Sequence, residues 1–302
     1  MRIGIIGATS FLAGRLIERF LKDKEIKELI LFTSSKNLFH SKNLKVTYFN
    51  YHFPKIPLNI SDLLNLDLIY FCSALGLEKR DNITDEEIMG INTFEPISLS
   101  MKLERKNFSG KFITFGSYFE IGQNDQVFKF KEEEIAFSSR NLFNTYCLSK
   151  RMLTNYYSSK LHKINWFHFI LPNFYGKGEK PYRLIPYLIN SIKNEEIINV
   201  TEGKQIRQYL HVKDIVDLLS KLIYKEFMPS IYNLVPDKFY SVKDVTNIIV
   251  NSSSKKNIRF KKIIRYDENM KVIIADNSKI KNIFSWEPNI SLDFGILNYN
   301  KL

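Results

Sequence analysis

The sequence of 302 residues predicts an α/β fold, with a doubly wound parallel sheet and a smaller C-terminal α/β lobe. Three observations support this prediction. Short, nearly continuous apolar segments alternate with amphipathic helical segments through the first half of the chain. A glycine-led turn joins the first apolar segment to the first helix. Apolar residues make up 44% and charged residues 25%, which is typical of globular proteins and excludes a disordered chain.

The alternation of strands and helices defines the first part of the chain. Strands buried on both faces are nearly continuous apolar runs, and strands separated by helices are parallel. The predicted strands are Arg2–Gly7, Glu28–Thr33, Leu44–Phe49, Leu66–Ser73, Lys111–Gly116 and Ile164–Leu171. The predicted helices between them are Phe11–Lys22, Asp85–Lys106 and Tyr146–Leu161.

The pattern changes after Pro172, where helices are separated by longer irregular segments. These predicted helices are Tyr182–Asn194, Asp214–Tyr224 and Ser241–Asn251. We therefore divide the chain into residues 1–172 and 173–302, with residues 207–235 packing back on the first part. Because open α/β sheets bind ligands at the carboxyl ends of their strands, we expect the site in the crevice between the two parts.

The net charge of +12 raises the question of an anionic partner. No block of five like charges and no basic stripe interleaved with aromatic residues occurs, so we expect no nucleic-acid partner. No apolar run reaches about 18 residues, and the N-terminal run is too short for a signal peptide, so we expect no membrane partner. The two cysteines, Cys72 and Cys147, form no metal-binding pattern, which predicts no metal site and a reducing, cytoplasmic setting.

A phosphate-binding turn is predicted at Gly7-Ala8-Thr9-Ser10-Phe11-Leu12-Ala13-Gly14. Gly7 allows the tight turn, while the small residues Ser10 and Ala13 allow close approach of a pyrophosphate and close packing of the helix. Free N–H groups at the helix start attract phosphate. Two of the three glycines of the dinucleotide motif are replaced, so a plain strand–turn–helix is the alternative. Its place at the start of a βαβ unit favours a Rossmann-type dinucleotide site.

The end of the second strand indicates which dinucleotide is bound. An acid there would bind the ribose 2′-hydroxyl of NAD. The sequence instead has Thr33, Ser34 and Lys36, whose hydroxyls and positive charge suit a 2′-phosphate. We therefore expect NADP(H), with NAD(H) and a polar loop that contacts nothing as the alternatives.

A catalytic group is predicted from Tyr146 and Lys150, whose i, i+4 spacing places both side chains on one helix face. A lysine ammonium beside a phenol lowers the pKa of the phenol. Such a tyrosine can pass a proton to or from a sugar oxygen while a hydride moves at the attached carbon. Ser117, at the carboxyl end of the preceding strand, can hydrogen-bond the same oxygen. The alternatives are a chance spacing and a loop serine.

The order of these motifs resembles that of the extended short-chain dehydrogenase/reductase family, which contains nucleotide-sugar epimerases, dehydratases and reductases. The segments that carry the resemblance are Gly7–Ala13, Phe71–Ala74, Ser117 with Gly122, Tyr146 with Lys150, Pro172–Gly176, Gly203–Asp214 and Asp276–Pro288. Asn50 and Ile170 depart from the family pattern, which commonly has Asp and Arg there.

The resemblance implies a role for each matched residue. Tyr146 is the acid/base, Lys150 lowers its pKa and holds the nicotinamide ribose, and Ser117 orients the sugar oxygen. The implied substrate-binding residues are Ser117, Tyr118, Asn173, Arg207 and Arg265, of which the two arginines suit a diphosphate. The implied cofactor-binding residues are Gly7, Thr9, Ser10, Phe11, Leu12, Thr33, Ser34, Lys36, Asn50, Cys72, Ser73, Tyr146, Lys150 and Pro172.

Within that family the sequence favours a reductase. Dehydratases carry an acid pair directly after the serine or threonine, where this chain has Tyr118 and Phe119. Epimerases usually have an acid after the second strand. The segments Asn92–Pro96 and Gly203–Arg207 are similar to nucleotide-4-keto-sugar reductases such as the CDP-abequose and CDP-paratose synthases. We expect NADPH-dependent reduction of a nucleotide-linked 4-keto sugar for surface polysaccharide; the alternatives are an NAD-dependent 4-epimerase and a non-catalytic dinucleotide sensor.

A homodimer is predicted through the helices Asp85–Lys106 and Tyr146–Leu161, which lie on one face of a doubly wound sheet. Two-fold symmetry would pair them into a four-helix interface. They carry more apolar side chains than one inward stripe needs, and a monomer rarely exposes such a patch. The alternative is that this surface lies under a loop. The apolar residues are Ile88, Ile91, Phe94, Ile97, Met101, Met152, Leu153, Tyr156 and Tyr157.

Overall fold

Mostly apolar runs of three to seven residues form the strands of the central sheet. In the computed structural model, residues 1–34, 45–76, 83–253, 260–263 and 270–299 are described. The strands are β1 (Arg2–Ile6), β2 (Glu28–Thr33), β3 (Val46–Asn50), β4 (Leu68–Phe71), β5 (Lys111–Ser117), β6 (Asn165–Leu171), β7 (Asn173–Tyr175), β8 (Ile198–Val200), β9 (Ile206–Arg207), β10 (Tyr209–His211), β11 (Ile231–Asn233), β12 (Tyr240–Ser241) and β13 (Phe260–Lys262).

Amphipathic segments between the strands form the helices. They are α1 (Phe11–Leu21), α2 (Asp85–Met89), α3 (Glu95–Arg105), α4 (Glu132–Ala136), α5 (Thr145–Ser158), α6 (Leu184–Asn194), α7 (Val212–Lys221), α8 (Val242–Asn251), α9 (Ser278–Phe284) and α10 (Leu292–Leu297). Short 3₁₀ turns occur at Ile60–Asp62 and Tyr118–Ile121. Within the described ranges, none of the helices is long and apolar enough to cross a membrane.

The central sheet has the strand order β3-β2-β1-β4-β5-β6-β11, and every neighbouring pair is parallel. This arrangement confirms the predicted doubly wound α/β fold. The order reverses between β1 and β4, so the connections from these two strands leave in opposite directions. A crevice therefore opens at their carboxyl ends, which is where ligands bind in such sheets.

Helices cover both faces of the sheet. One core cluster joins α1 and α7 to the sheet and includes Leu16, Phe20 and Leu219. The opposite cluster joins α3 and α5 to the sheet and includes Leu99 and Leu153. Burial on both faces explains why the strands could be read as continuous apolar runs.

The predicted helix Asp85–Lys106 is not a continuous α-helix. A π-helical turn at Gly90–Phe94 separates α2 from α3. This turn faces two polar side chains toward α5: Asn92 Nδ2 donates to Ser149 Oγ at 2.9 Å, and Thr93 Oγ1 donates to the Ser149 carbonyl at 2.7 Å. Asn92 also exchanges two hydrogen bonds of 2.9 Å with the backbone of Leu75. The extra residue in the turn thus ties the loop after β4 to the helix α5.

The second part of the chain contributes to both lobes. A separate core is formed by α6, α8 and α10, with the small sheets β7–β10, β9–β12 and β8–β13 around it. However, β11 extends the central sheet beside β6, and α7 packs against α1. Asp214 in α7 accepts hydrogen bonds from the amides of Asn289 and Ile290 at 3.0 and 3.1 Å. The division at residue 172 stays a prediction. Residues 207–235 contain α7 and β11, which pack against the first part of the chain.

The turn after β1 is held by close contact with the end of β4. Gly7 has a φ of +79°, and a Cβ on it would lie 2.4 Å from Ser73 Oγ and 2.6 Å from the Ser73 amide nitrogen. The Gly7 amide also donates to the Phe32 carbonyl of β2 at 3.0 Å. Glycine is therefore required here both by backbone conformation and by space.

We expect Gly7→Ala to lower the free energy of unfolding by about 1–3 kcal/mol, because alanine strains the left-handed backbone and collides with Ser73. Gly14→Ala is the matched control. Gly14 lies in α1, and a Cβ there would meet nothing within 4 Å. That variant should gain up to about 1 kcal/mol from helix propensity. Urea denaturation of both variants measures the difference, and equal stabilities would contradict the steric argument.

Candidate active site

The carboxyl edge of the parallel sheet brings together most of the residues predicted to form the site. Because the strands run in one direction, their carboxyl ends meet at one edge. Thr33 and Asn50 are direct neighbours there, paired between β2 and β3. The remaining residues that follow strand ends are Gly7, Thr9, Ser10, Phe11 and Leu12 after β1, Ser34 after β2, Cys72 and Ser73 after β4, Ser117 at the end of β5, and Pro172 and Asn173 after β6.

The turn after β1 leads into a capped start of α1. Ser10 caps α1, since its Oγ accepts a hydrogen bond from the Ala13 amide at 3.3 Å. The amides of Phe11 and Leu12 begin the helix and have no preceding helical carbonyl to bind. The Phe11 ring stacks on Phe174, with centroids 5.6 Å apart and planes at 3°. Together with the close packing at Gly7, this geometry fits a dinucleotide pyrophosphate.

The described residues at the ends of β2 and β3, where the adenosine ribose is expected, are neutral. Thr33 is buried, whereas Ser34 and Asn50 are exposed at the same edge. Lys36 lies outside the described residues. Cys72 is buried beside this edge, and burial raises the pKa of its thiol. The ends of β2 and β3 therefore present hydroxyl and amide groups where NAD-binding sites usually carry a carboxylate.

Helix α5 brings Tyr146 and Lys150 to Ser117. Asn144 caps the helix by accepting a hydrogen bond from the Cys147 amide at 2.9 Å. Tyr146 and Lys150 follow one turn apart, and both are buried. The Lys150 ammonium donates to the Phe115 carbonyl at 2.8 Å, two residues before Ser117 in β5. The Ser117 hydroxyl lies near the Tyr146 phenol and lowers its pKa.

The pKa of Tyr146 differs from the sequence-based expectation. Burial raises the pKa of the phenol, and the neighbouring Cys147 and Glu120 raise it further. The Ser117 hydroxyl and the charge of Arg183 lower the pKa of the phenol, but they do not outweigh burial. The pKa of Tyr146 is therefore raised overall and not lowered as expected, because desolvation of the phenol outweighs the groups that favour the phenolate. Tyr146 stays protonated at neutral pH, which suits a proton donor.

Arg207 and Tyr118 lie near each other beyond the end of β5. Arg207 is almost fully buried; its guanidinium donates to the Ile206 carbonyl at 2.8 Å and lies 5.5 Å from the Phe119 ring centroid. Tyr118 is fully buried, and the positive charge of Arg207 acts on its phenol. Asn173 is half-buried in β7, and its backbone lowers the pKa of the nearby Tyr118 phenol. Arg265 lies outside the described residues.

Two further residues at the site were missed by the sequence analysis. Arg183, at the residue before α6, lowers the pKa of both Tyr146 and Tyr118, so its charge reaches both phenols. Nothing in the local sequence distinguishes it from a surface arginine. Glu120 is fully buried, and its carboxylate accepts a hydrogen bond from the Ser117 amide at 2.6 Å. The S-x-x-E spacing from Ser117 to Glu120 is a capping-box pattern and could have identified it.

Comparison with known sequences identifies the family. The NAD dependent epimerase/dehydratase family matches residues 3–234 of the chain. CDP-abequose synthase of Salmonella typhimurium is 28% identical over 160 residues, which are 50% of this chain and 53% of that protein. The chain thus spans about half the length of the curated relatives it matches.

Solved structures show the same fold. UDP-glucuronic acid 4-epimerase from Bacillus cereus, in complex with UDP-glucuronic acid and NAD, aligns with a TM-score of 0.82 and 16% identity over 99% of this chain and 98% of that one. dTDP-glucose 4,6-dehydratase from Bacillus anthracis str. Ames, in complex with NAD, aligns with a TM-score of 0.78 and 17% identity over 99% and 95% of the two chains. The family match, together with this shared fold, shows that the chain belongs to the NAD dependent epimerase/dehydratase family.

Proposed function

We propose that this chain reduces the C4 keto group of a nucleotide-linked deoxy-4-keto sugar with NADPH, in the cytoplasm, as a step in making deoxysugars for surface polysaccharide. The observation that carries the proposal is a buried Tyr146 whose phenol stays protonated beside Ser117, at the carboxyl edge of a dinucleotide-type sheet. Reduction of a ketone needs a proton donor at the carbonyl oxygen. The two cysteines are free and buried, which supports a reducing compartment.

The roles of the three central residues follow from their placement. A bound nicotinamide supplies the hydride to C4. Ser117 orients the keto oxygen by a hydrogen bond, and Tyr146 gives its phenolic proton to that oxygen. Lys150 presents a positive charge behind the phenol and stabilises the tyrosinate that remains. The turn at Gly7 and the amides of α1 hold the pyrophosphate of the cofactor.

The residues after Ser117 support reduction rather than dehydration. A dehydratase needs acidic groups at the substrate to eliminate water, and the two residues that follow Ser117 are the aromatic Tyr118 and Phe119. The next residue, Glu120, is an acid, but its carboxylate turns inward to the Ser117 amide. The similarity to CDP-abequose synthase supports the same reaction class.

The substrate diphosphate is assigned to arginines. A guanidinium fork matches two phosphate oxygens. Arg207 and Arg183 both bring positive charge to Tyr118, next to the end of β5. We assign the diphosphate to Arg207, Arg183 and Asn173, with Arg265 as a further contact expected from the sequence. The sugar then reaches from this group toward Ser117 and Tyr146.

Tyr146→Phe tests the reaction. We expect this variant to fold and to bind NADPH, but to lose about 10²–10⁴-fold in turnover, because general acid catalysis contributes that much. The measurement is the loss of nicotinamide absorbance with a panel of nucleotide 4-keto-6-deoxy sugars. Tyr224→Phe, at an exposed tyrosine after α7, is the control and should keep wild-type turnover. Near wild-type turnover in Tyr146→Phe would contradict the mechanism. Interconversion of sugars without net oxidation of the cofactor would instead indicate an epimerase.

The cofactor preference is tested at Lys36. We expect NADPH to bind more tightly than NADH, and Lys36→Ala to weaken NADPH binding alone. A lost charged hydrogen bond costs about 1.5–3 kcal/mol, which is a loss of about tenfold or more in affinity. Lys27→Ala, at the opposite end of the second strand, is the control. Fluorescence titration measures both cofactors; equal affinities, or an unchanged preference in Lys36→Ala, would contradict the assignment.

A homodimer is part of the same proposal. The surface formed by α3, α5 and the residues after α4 contains an apolar groove of about 600 Å³. The structure divides the predicted patch: Ile88, Ile91 and Leu153 are buried in the core, whereas Phe94, Met101 and Met152 are exposed. Two residues not foreseen, Phe137 and Leu148, are exposed as well. Two-fold pairing of α3 and α5 with a second copy would cover this surface.

The Phe94→Asp variant tests the dimer, because Phe94 is 57% exposed and lines the groove. We expect light scattering at micromolar protein to give twice 35.6 kDa for the wild type and 35.6 kDa for the variant. Leu161→Asp is the control, since Leu161 is 97% exposed and lies beyond the end of α5. A wild-type mass that stays at that of one chain as concentration rises would remove the dimer.

A further inference from the structure

A buried glutamate and a buried lysine lie behind Tyr146. Glu120 and Lys150 are 0% and 6% exposed. A charged group loses several kcal/mol when it leaves water unless a partner compensates it. The burial of these two charges therefore needs an explanation other than contact with substrate or cofactor.

The two side chains hold the end of β5. The pairing of β4 with β5 ends at Tyr70 and Ile113. Farther along, the Phe115 carbonyl accepts a hydrogen bond from Lys150 Nζ at 2.8 Å, and the Ser117 amide donates to Glu120 Oε1 at 2.6 Å. Both side chains thus fix backbone groups on either side of the intervening glycine, and they set the position of Ser117.

Gly116 shows how closely these groups pack. A Cβ on Gly116 would lie 2.7 Å from Glu120 Oε1 and 2.8 Å from His168 Nε2. The glycine therefore leaves space for both polar groups at the strand. Glu120 and His168 therefore lie on the same side of β5, where a side chain at position 116 would project.

His168 is neutral in this arrangement. Burial, together with the charge of Lys150, lowers the pKa of the imidazole to about 3. Its Nδ1 lies 2.7 Å from Thr114 Oγ1, and its Nε2 lies 2.9 Å from Thr154 Oγ1. Thr114 accepts a hydrogen bond from Trp166 Nε1 at 2.8 Å, so its own hydroxyl proton can point to Nδ1. This pattern assigns the proton of His168 to Nε2 and leaves the ring without charge.

The electrostatics single out Glu120 as the partner of Lys150. Burial lowers the pKa of Lys150, and the charge of Glu120 raises it. Burial raises the pKa of Glu120, while Thr154, the Ser117 amide, Lys150 and Arg151 lower it. Within the described part of the chain, Glu120 is the carboxylate whose charge acts on Lys150. The other ionisable groups around the pair are Cys72, Tyr146, Cys147, Arg151 and His168.

We propose that Glu120 is a positioning residue that keeps Lys150 in its ammonium form beneath Tyr146 and fixes Ser117 beside the phenol. Its carboxylate does not touch substrate. It acts through Lys150, whose charge stabilises the tyrosinate, and through the Ser117 amide. This inference rests on the proposed reduction, because it assigns Glu120 a part in the same proton transfer.

Glu120→Gln tests the proposal, because its amide oxygen can still accept the Ser117 N–H while the negative charge is gone. Without that charge the pKa of Lys150 falls, and the ammonium is lost at lower pH. We expect the alkaline limb of the kcat–pH profile to move down by about one pH unit, the effect of one nearby opposite charge. KM should change little. Glu120→Asp retracts the charge and should give an intermediate shift.

Glu132→Gln is the matched control. Glu132 is also buried, and its carboxylate accepts a hydrogen bond from the Asn233 amide at 2.9 Å. The charged groups that act on it are Lys279 and Glu133, not Lys150. Its variant should leave the alkaline limb in place. A shift of equal size in Glu132→Gln would overturn the proposal, because the loss of any buried carboxylate would then be enough to move the alkaline limb.

A second measurement separates this inference from the proposed function. Lysine labelled with ¹³C reports the titration of Lys150 by NMR without substrate, and the resonance is assigned by its loss in Lys150→Arg. A lower pKa of Lys150 in Glu120→Gln supports the inference whether or not the wild type reduces a nucleotide sugar. A wild type that reduces no nucleotide sugar would overturn the proposed reaction only. An unchanged titration overturns the role of Glu120. If Glu120→Gln does not fold, Lys150 is titrated in Glu120→Asp instead. An unchanged pKa of Lys150 in that variant also overturns the role of Glu120.

Discussion

The hydrogen bond from the Lys150 ammonium to the Phe115 carbonyl joins the helix that carries Tyr146 to the strand that carries Ser117. The strand is fixed by the sheet, and the helix must be held against it from the other side. Asn92 and Thr93 in the π-helical turn provide that contact by binding Ser149, the residue before Lys150. A regular helix there would change the direction of these polar side chains by part of a turn. The π-helical turn therefore helps to set the position of Lys150 through its hydrogen bonds to Ser149.

The same edge of the sheet shows how strand ends become binding sites. Where strand pairing stops, backbone groups need other partners, because buried unpaired groups are costly. Lys150 and Glu120 satisfy two of them at β5, and the Gly7 amide, just beyond the end of β1, donates to the Phe32 carbonyl of β2. Cofactor and substrate are proposed to bind at this edge. The residues that complete the fold and the residues proposed for chemistry consequently occupy the same few positions.

The sequence was informative where physical signals are local. Strand β2 was predicted at its observed bounds, because a strand buried on both faces is a continuous apolar run. The two-residue strand β9 has no such signal, since it forms through contact with β12. In the site, the spacing of Tyr146 and Lys150 is local and was recognised. Arg183 reaches the same place from a distant helix, so only the fold reveals it. Glu120 had a local S-x-x-E signal, but its burial depends on packing against α5.

Burial shifts the pKa values of Tyr146 and Lys150 in opposite directions, and the shift of the phenol is the one that suits the proposed reduction. Desolvation disfavours the charged form of each group, so it raises the pKa of the phenol and lowers that of the ammonium. A protonated phenol is ready to give its proton to a ketone, whereas the reverse oxidation needs the phenolate. The lysine must nevertheless stay charged to stabilise the tyrosinate after transfer, although burial works against it. A nearby carboxylate that does not contact the phenol opposes that loss of charge, and Glu120 occupies such a position behind Ser117.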